Sequence, residues 1–362
     1  MTKLFSLCVA LITCFSCTSQ RDVFTPKRLG DKENTFRRSY LTTASDLYQD
    51  LYFAHQALST DIKLLSQAPT QEQLDLTKEK LITVRSSYNK AIAFSMIHGP
   101  LDYPYSDHTL SLNQYLFANT ANLSISPIKE VINGKQELNK ELLYEKHLSA
   151  PETILLGIPA LQTLLDDNEF ILEENKNTAK YLGLLDSIMT EQVYYLLEQW
   201  SPYEAGNFRA LIQTRNQEQF LGWIYTSFII NHQNVIDEIK SSQKSLPVND
   251  LNERLKALMN LWEGTYILND KRQYLRVGLN TLMGSPEINN YFKTLEKSRG
   301  ENNEKMALEA LYALSNGIQR ATEGTYDKNV QEQPYIIPNI KLHQLRTRRH
   351  YDKNAPFGEN LK

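Results

Sequence analysis

The sequence predicts an all-α chain folded as two packed helical bundles, and three observations carry that prediction. Apolar residues recur at helical spacing almost without interruption from Phe36 to Thr322. Period-two alternation bounded by turn residues is hard to find over the same span. Helix-start signals precede several of the periodic segments, and the breaks between segments are short, as in helical bundles.

Taken in order, the elements begin with "MTKLFSLCVALITCFS", residues 1–16. Lys3 is followed by an apolar run from Leu4 to Phe15 that is too short for a comfortable membrane span. It reads as a signal peptide, and its end at a cysteine after a small residue resembles a bacterial lipoprotein signal. Cys17, after Ser16, is the expected lipidated residue. Cys14, after "LIT", is the alternative, and a plain signal peptide with chance cysteines is a third reading. Residues 17–35 are polar and aperiodic, which suits a tether.

Helical periodicity then covers about 39–66, 71–98, 172–199, 216–243, 250–268 and 302–320. "TQEQ" from Thr70 and "SAPE" from Ser149 both have the capping-box pattern, a hydroxyl cap with Glu or Gln three residues on. "SPIKE" and "SPEIN" place Pro127 and Pro286 at a helix start, where a missing N–H costs little. The pattern breaks at "HGPLDYPYSD" (98–107) and "WSPYEAGNF" (200–208), and no repeat of fixed period is present. A division near 201–214 gives a first bundle over 36–200 and a second over 201–322. Residues 323–362 are poor in helical pattern and locally basic ("LRTRRHYDK"), and read as an extended tail.

Composition bounds the function. The chain has 362 residues, 41% hydrophobic and 22% charged, with a net charge of −3 that becomes −4 once the single charge of Lys3 leaves with the signal. So small an acidic balance provides no basic patch for nucleic acid. All three cysteines, Cys8, Cys14 and Cys17, precede the fold, which excludes a downstream disulfide framework or a cysteine-type zinc site. The most apolar later stretch, "FLGWIYTSFII" (220–230), falls well short of the ~20 residues a membrane helix needs. Membrane attachment through the N-terminal lipid alone is therefore expected.

"GIPALQTLLDD" (157–167) is the stretch most suggestive of chemistry. If Ser149 caps this helix, Gly157 and Pro159 are interior, Pro159 kinks the helix, and the Leu155 carbonyl loses its donor. Leu155, Pro159, Gln162 and Asp166 would then share one strip beside the apolar stripe Ile154, Ile158, Leu161 and Leu165. Here the sequence resembles the imelysin family of bacterial envelope proteins, whose hallmark is Gly-x-His-x-x-Glu before a short apolar run. The likeness extends through "VRSSYNKAIAFSMIHGPLDYP", "YLLEQWSPYEAGNFRALI" and "LKALMNLWEGTYILNDKRQYLRVGLNTLM", over roughly residues 38–320.

The resemblance implies paired four-helix bundles with the hallmark segment near the cleft between them. It also implies association with iron uptake, a peptidase-like history, and a secreted, periplasmic or lipid-anchored location facing the periplasm or on the outer membrane. Iron or haem as ligand follows from the resemblance alone. In the hallmark, His and Glu three apart on one helix face can meet one metal ion or polarise one water. Here those positions are Pro159, which has no donor atom, and Gln162, whose neutral amide is a poor ligand and no general base. Gly157 alone is retained.

None of the seven histidines has Glu three residues on, and no His-Glu-x-x-His occurs. His98, with Gly99 and Pro100, lies in the segment the resemblance aligns with the cleft, although a helix-end cap is the plainer role for that histidine. Three readings stay open: an envelope binding protein for a small ligand or protein partner, a metallopeptidase using residues outside the motif, and a helical scaffold without a small ligand.

Overall fold

The computed structural model describes residues 30–96, 99–101, 124–149, 154–173, 175–241, 248–268, 271–274, 277–283 and 286–300, with pairs at 309–310, 312–313 and 316–317. The signal peptide, Cys17 and Cys14, the tether up to residue 29, His98 and the tail from 323 lie outside the described residues. The described chain is helical apart from one small hairpin, and among its residues no helix is long and apolar enough to cross a membrane.

Three long helices order the core. α1 spans Asp31–Gln67, so residues 31–35, expected in the tether, are already helical. Asp31 and Glu33 in its first turn favour that early start by facing the positive end of the helix dipole. α2 spans Gln71–Ile92. Thr70 caps it as expected, accepting from the Gln73 N–H at 3.2 Å. The Gln73 side chain, however, donates to the Asp61 carbonyl (3.3 Å) and so ties α2 back to α1 instead of closing a reciprocal box.

Four short helices follow: α3 (Ser126–Ile132), α4 (Lys140–Ser149), α5 (Gly157–Asp166) and α6 (Asn168–Leu172). α7 spans Lys176–Trp200 and runs antiparallel to α1. The Ser45 hydroxyl donates to the Trp200 carbonyl, Tyr52 and Tyr194 rings meet at 5.9 Å, and Ser59 donates to Asp186 at 2.8 Å. α1 thus packs along α2 on one side and α7 on the other. Phe36, Tyr40, Leu51, Leu58, Ile62, Leu81, Tyr88 and Leu196, all fully buried, fill the space between them.

α8 (Phe208–Thr214), α9 (Gln217–Ser241) and α10 (Val248–Glu263) complete the larger helices, with α10 lying against α2. Periodicity predicted helix to residue 268, but the helix stops at Glu263. Gly264, at φ +80°, turns the chain, and β1 (Thr265–Leu268) pairs antiparallel with β2 (Lys271–Tyr274) in the register Thr265 to Tyr274. Only glycine adopts that φ without strain. α11 (Leu279–Met283) and α12 (Pro286–Gly300) follow, the latter starting on the expected proline. The buried side chains form one connected cluster from Phe36 to Ala310, continuous across residues 201–214.

Three carbonyls at and just past the C-terminus of α2 are met by side chains from different parts of the chain. Tyr266 Oη on β1 donates to Lys90 O (2.8 Å), Asn231 Nδ2 on α9 to Ile92 O (3.1 Å) and Tyr40 Oη on α1 to Phe94 O (3.0 Å). A helix end leaves its last carbonyls without internal partners, and burial makes external ones obligatory.

Candidate functional site

The hallmark-like segment begins a helix; it does not kink one. α4 ends at Ser149, whose hydroxyl turns back to the Lys146 carbonyl (2.9 Å), and residues 150–153 of the expected capping box lie outside the described residues. α5 starts at Gly157 after an extended Leu156, with Gly157 at φ +77°, a conformation that explains the glycine. Pro159 falls in the first turn, where its missing N–H breaks no helical bond. The expected kink is absent, and the Leu155 carbonyl is not left free. It accepts from the buried Tyr181 hydroxyl of α7 at 2.7 Å. Burial raises the Tyr181 pKa, so the phenol stays a donor.

The α5 residues sort by face as the spacing predicts. Ile158, Leu161 and Leu165 are buried together with Leu164, while Gln162 is half-buried and Asp166 exposed. Gln162 Nε2 donates to both Asp166 oxygens, at 2.9 and 3.0 Å. Its Oε1 accepts from Arg85 Nη1 of α2 at 3.0 Å. The amide orientation that satisfies both partners is therefore determined: oxygen to the guanidinium, nitrogen to the carboxylate. Arg85–Gln162–Asp166 is a hydrogen-bonded relay linking α2 to the end of α5.

The neighbouring acidic residues act separately. Asp167 accepts from the Phe170 N–H (3.1 Å) as the cap of α6 and pairs with Lys129 at 2.7 Å. The hydrogen bond from Lys129 is the main reason the Asp167 carboxyl lies below its ordinary value. Further along α2 the same helix surface stays polar: Ser86 donates to Glu253, and Arg254 Nε donates to Asn89 Oδ1 at 2.8 Å. α2 therefore carries a hydrogen-bonding strip reaching α5 through Arg85 and α10 through Ser86 and Asn89.

Gly99 and Pro100 are buried at a different contact. A Cβ on Gly99 would come within 2.6 Å of the Met96 carbonyl and 3.3 Å of Phe208 of α8, so this glycine allows close packing against α8. Gln162 and Asp166 make their described polar contacts with α2 and within α5. Arg85, Ser86, Asn89 and Tyr181 were not singled out by motif or spacing. Arg85 and Gln162 lie 77 residues apart, and no local pattern links them.

In chemical terms the site does not fit the metal and base of the hallmark. Pro159 offers no side-chain atom, and both ends of the Gln162 amide are committed. Among the described residues no group of three His, Cys, Asp or Glu is placed to hold a metal ion. Of the three buried histidines among the described residues, His147 of α4 stands beside the segment, its Nδ1 accepting from the Leu155 N–H at 3.5 Å. His55 lies in α1 and His232 in α9, where Nδ1 lies 2.7 Å from the Phe228 carbonyl and the ring packs against Phe228 and Phe292.

No family model and no curated protein matches the chain by sequence. The backbone does match solved structures. One is a protein described as an iron-regulated protein A precursor from Parabacteroides distasonis ATCC 8503, at a TM-score of 0.56 and 12% identity over 83% of this chain and 97% of that one. Another is an imelysin-like protein from Psychrobacter arcticum 273-4, at a TM-score of 0.50 and 14% identity over 82% and 94%. With four-fifths of its length following these backbones, the chain has the imelysin-like fold.

Proposed function

We propose that the chain is a lipid-anchored protein of the bacterial cell envelope that binds a ligand connected with iron or another nutrient, without catalysis from the hallmark position. The observation carrying this reading is the state of Gln162, neutral and engaged at both ends, by Arg85 and by Asp166. An amide has no electron pair basic enough to take a proton from water. The iron link rests on the description of the Parabacteroides distasonis protein as iron-regulated, and iron or haem is accordingly the first ligand class to try. The ligand is assigned to the interdomain cleft that the resemblance implies, with Gly157, Pro159, Gln162 and Asp166 of α5 on its wall; His98, Gly99 and Pro100 join the assignment through the resemblance alone.

Purified mature protein, titrated with ferric citrate and with haemin and then incubated with peptides with and without a chelator, tests this reading. Ligand uptake without cleavage is the expected result. Cleavage that the chelator stops and Gln162→Ala abolishes overturns it. The anchor has its own test. The intact protein is expected in the membrane fraction, and Cys17→Ser should release it; a variant that stays behind points to Cys14 or to an uncleaved anchor. One acyl chain binds only reversibly, so firm retention also implies more than one chain on the cysteine.

A further inference from the structure

The contact between α1 and α7 contains buried polar groups that the proposed function does not use. His55 is 1% exposed, and among the described residues neither of its ring nitrogens has a hydrogen-bond partner. One turn on, Ser59 donates to Asp186 Oδ2 at 2.8 Å, while Asp186 Oδ1 is buried and unpartnered. The Tyr52–Tyr194 and Ser59–Asp186 contacts bracket His55 between the two helices. Lys63 continues the stripe of His55 and Ser59 at one-turn spacing, and its charge acts on both His55 and Asp186.

The other groups nearby offer His55 no counter-charge. α2, packed along α1, buries Leu74, Thr77, Leu81 and Val84, with the Thr77 hydroxyl donating to the Gln73 carbonyl. Its Lys78 reaches Asn168 at 2.7 Å, and Glu79 is exposed. On α7, Glu191 is paired with Lys140. A proton on His55 would therefore be a buried cation sharing a stripe with a second cation, and hydrogen-bonded to neither of the unpartnered buried acceptors of α7, Asp186 Oδ1 and Gln192 Oε1.

We propose that this contact is an acid-sensitive latch, in which protonation of His55 loosens α1 from α7. Burial, and after it the Lys63 charge, pushes the imidazole down from 6.5 to about 4. An exposed imidazole therefore binds the proton first. The stabilisation is complete above pH 6.5 and is lost as pH falls towards 4. Between pH 7 and pH 5 the linkage favours the open form by about 20-fold. Asp186 acts with the opposite sign: burial raises its carboxyl, so the closed form takes that proton more readily and acid relieves it.

Hydrogen exchange of the full chain at pH 7 and pH 5, corrected for intrinsic rates, tests the latch. Amides facing the contact, in 48–62 and 182–197, are expected to exchange faster at the lower pH, by up to the about 20-fold of His55 less whatever Asp186 offsets, and His55→Leu should remove that acceleration. His55→Gln, also non-titrating, serves if the leucine variant fails to fold. Equal acceleration in wild type and in the folded variant overturns the proposal. So does acceleration spread evenly into α10 and α12, which would assign the acid response to His232 or to the whole fold.

Discussion

Replacing Gly278 by alanine is expected to destabilise the fold by about 3 kcal/mol, read as a fall in the urea midpoint at unchanged m-value. A Cβ there would lie 2.3 Å from the Trp262 carbonyl oxygen, 2.4 Å from the Glu263 carbonyl carbon and 2.4 Å from the Gly264 nitrogen. All three are backbone atoms, so no side chain can swing away and the two segments must separate. Gly264 is the reciprocal partner. Its own Cβ would meet the Gly278 nitrogen at 2.5 Å, and its φ of +80° adds a conformational cost. Gly183 in α7 and Gly222 in α9 are the controls. A Cβ at either meets nothing within 4 Å, and alanine there should stabilise the protein by roughly 0.5–1 kcal/mol. Equal effects at Gly278 and Gly183 would show that the hairpin is not clasped to α10 in this way.

Trp200→Ala is expected to cost about 3–5 kcal/mol, a large fraction of the roughly 5–15 kcal/mol typical of a folded domain. Trp200 is fully buried where α7 ends, stacked on Tyr48 (centroids 5.5 Å apart, planes 7° from parallel) and edge-on to Phe208 at 5.4 Å. Removing the indole takes packing partners from α1 and α8 at once, and neither helix can collapse into the space without leaving the other. Trp200→Phe should cost much less. It keeps an aromatic surface and deletes an indole N–H that has no hydrogen-bond partner among the described residues. Equal losses for the two substitutions, measured by chemical denaturation, would place the energy in the indole nitrogen and contradict the packing argument.

The two substitutions probe features of unequal legibility. Trp200 directly follows the periodic segment 172–199 and opens the Ser-Pro break, so periodicity placed the helix end within one residue of it. The hairpin is different. "TYIL" continues the apolar character of α10, each strand is four residues long, and only Gly264 signals that the helix must end there. A short strand after an amphipathic helix offers too few residues for a period of two to emerge.

The same limit affected α5. "SAPE" satisfies the capping-box pattern, yet the helix begins at Gly157, because the decisive interactions are a left-handed glycine and a tyrosine hydroxyl from α7. The Gln162–Asp166 bond was readable from i, i+4 spacing, since both partners lie on one helix. Arg85 was not, because its contact with Gln162 depends on how α2 and α5 are juxtaposed. Local chemistry was thus visible in the sequence, and the partners supplied by tertiary packing were not.

The end of α2 has a consequence for everything that follows it. A phenol from the first helix, an amide from the ninth and a phenol from the hairpin all grip carbonyls within five consecutive residues, 90 to 94. A shift of that terminus would break agreements with three remote stretches of chain simultaneously. The backbone leaving for Gly99 and Pro100 consequently sets out on a fixed bearing, like a road surveyed from three landmarks.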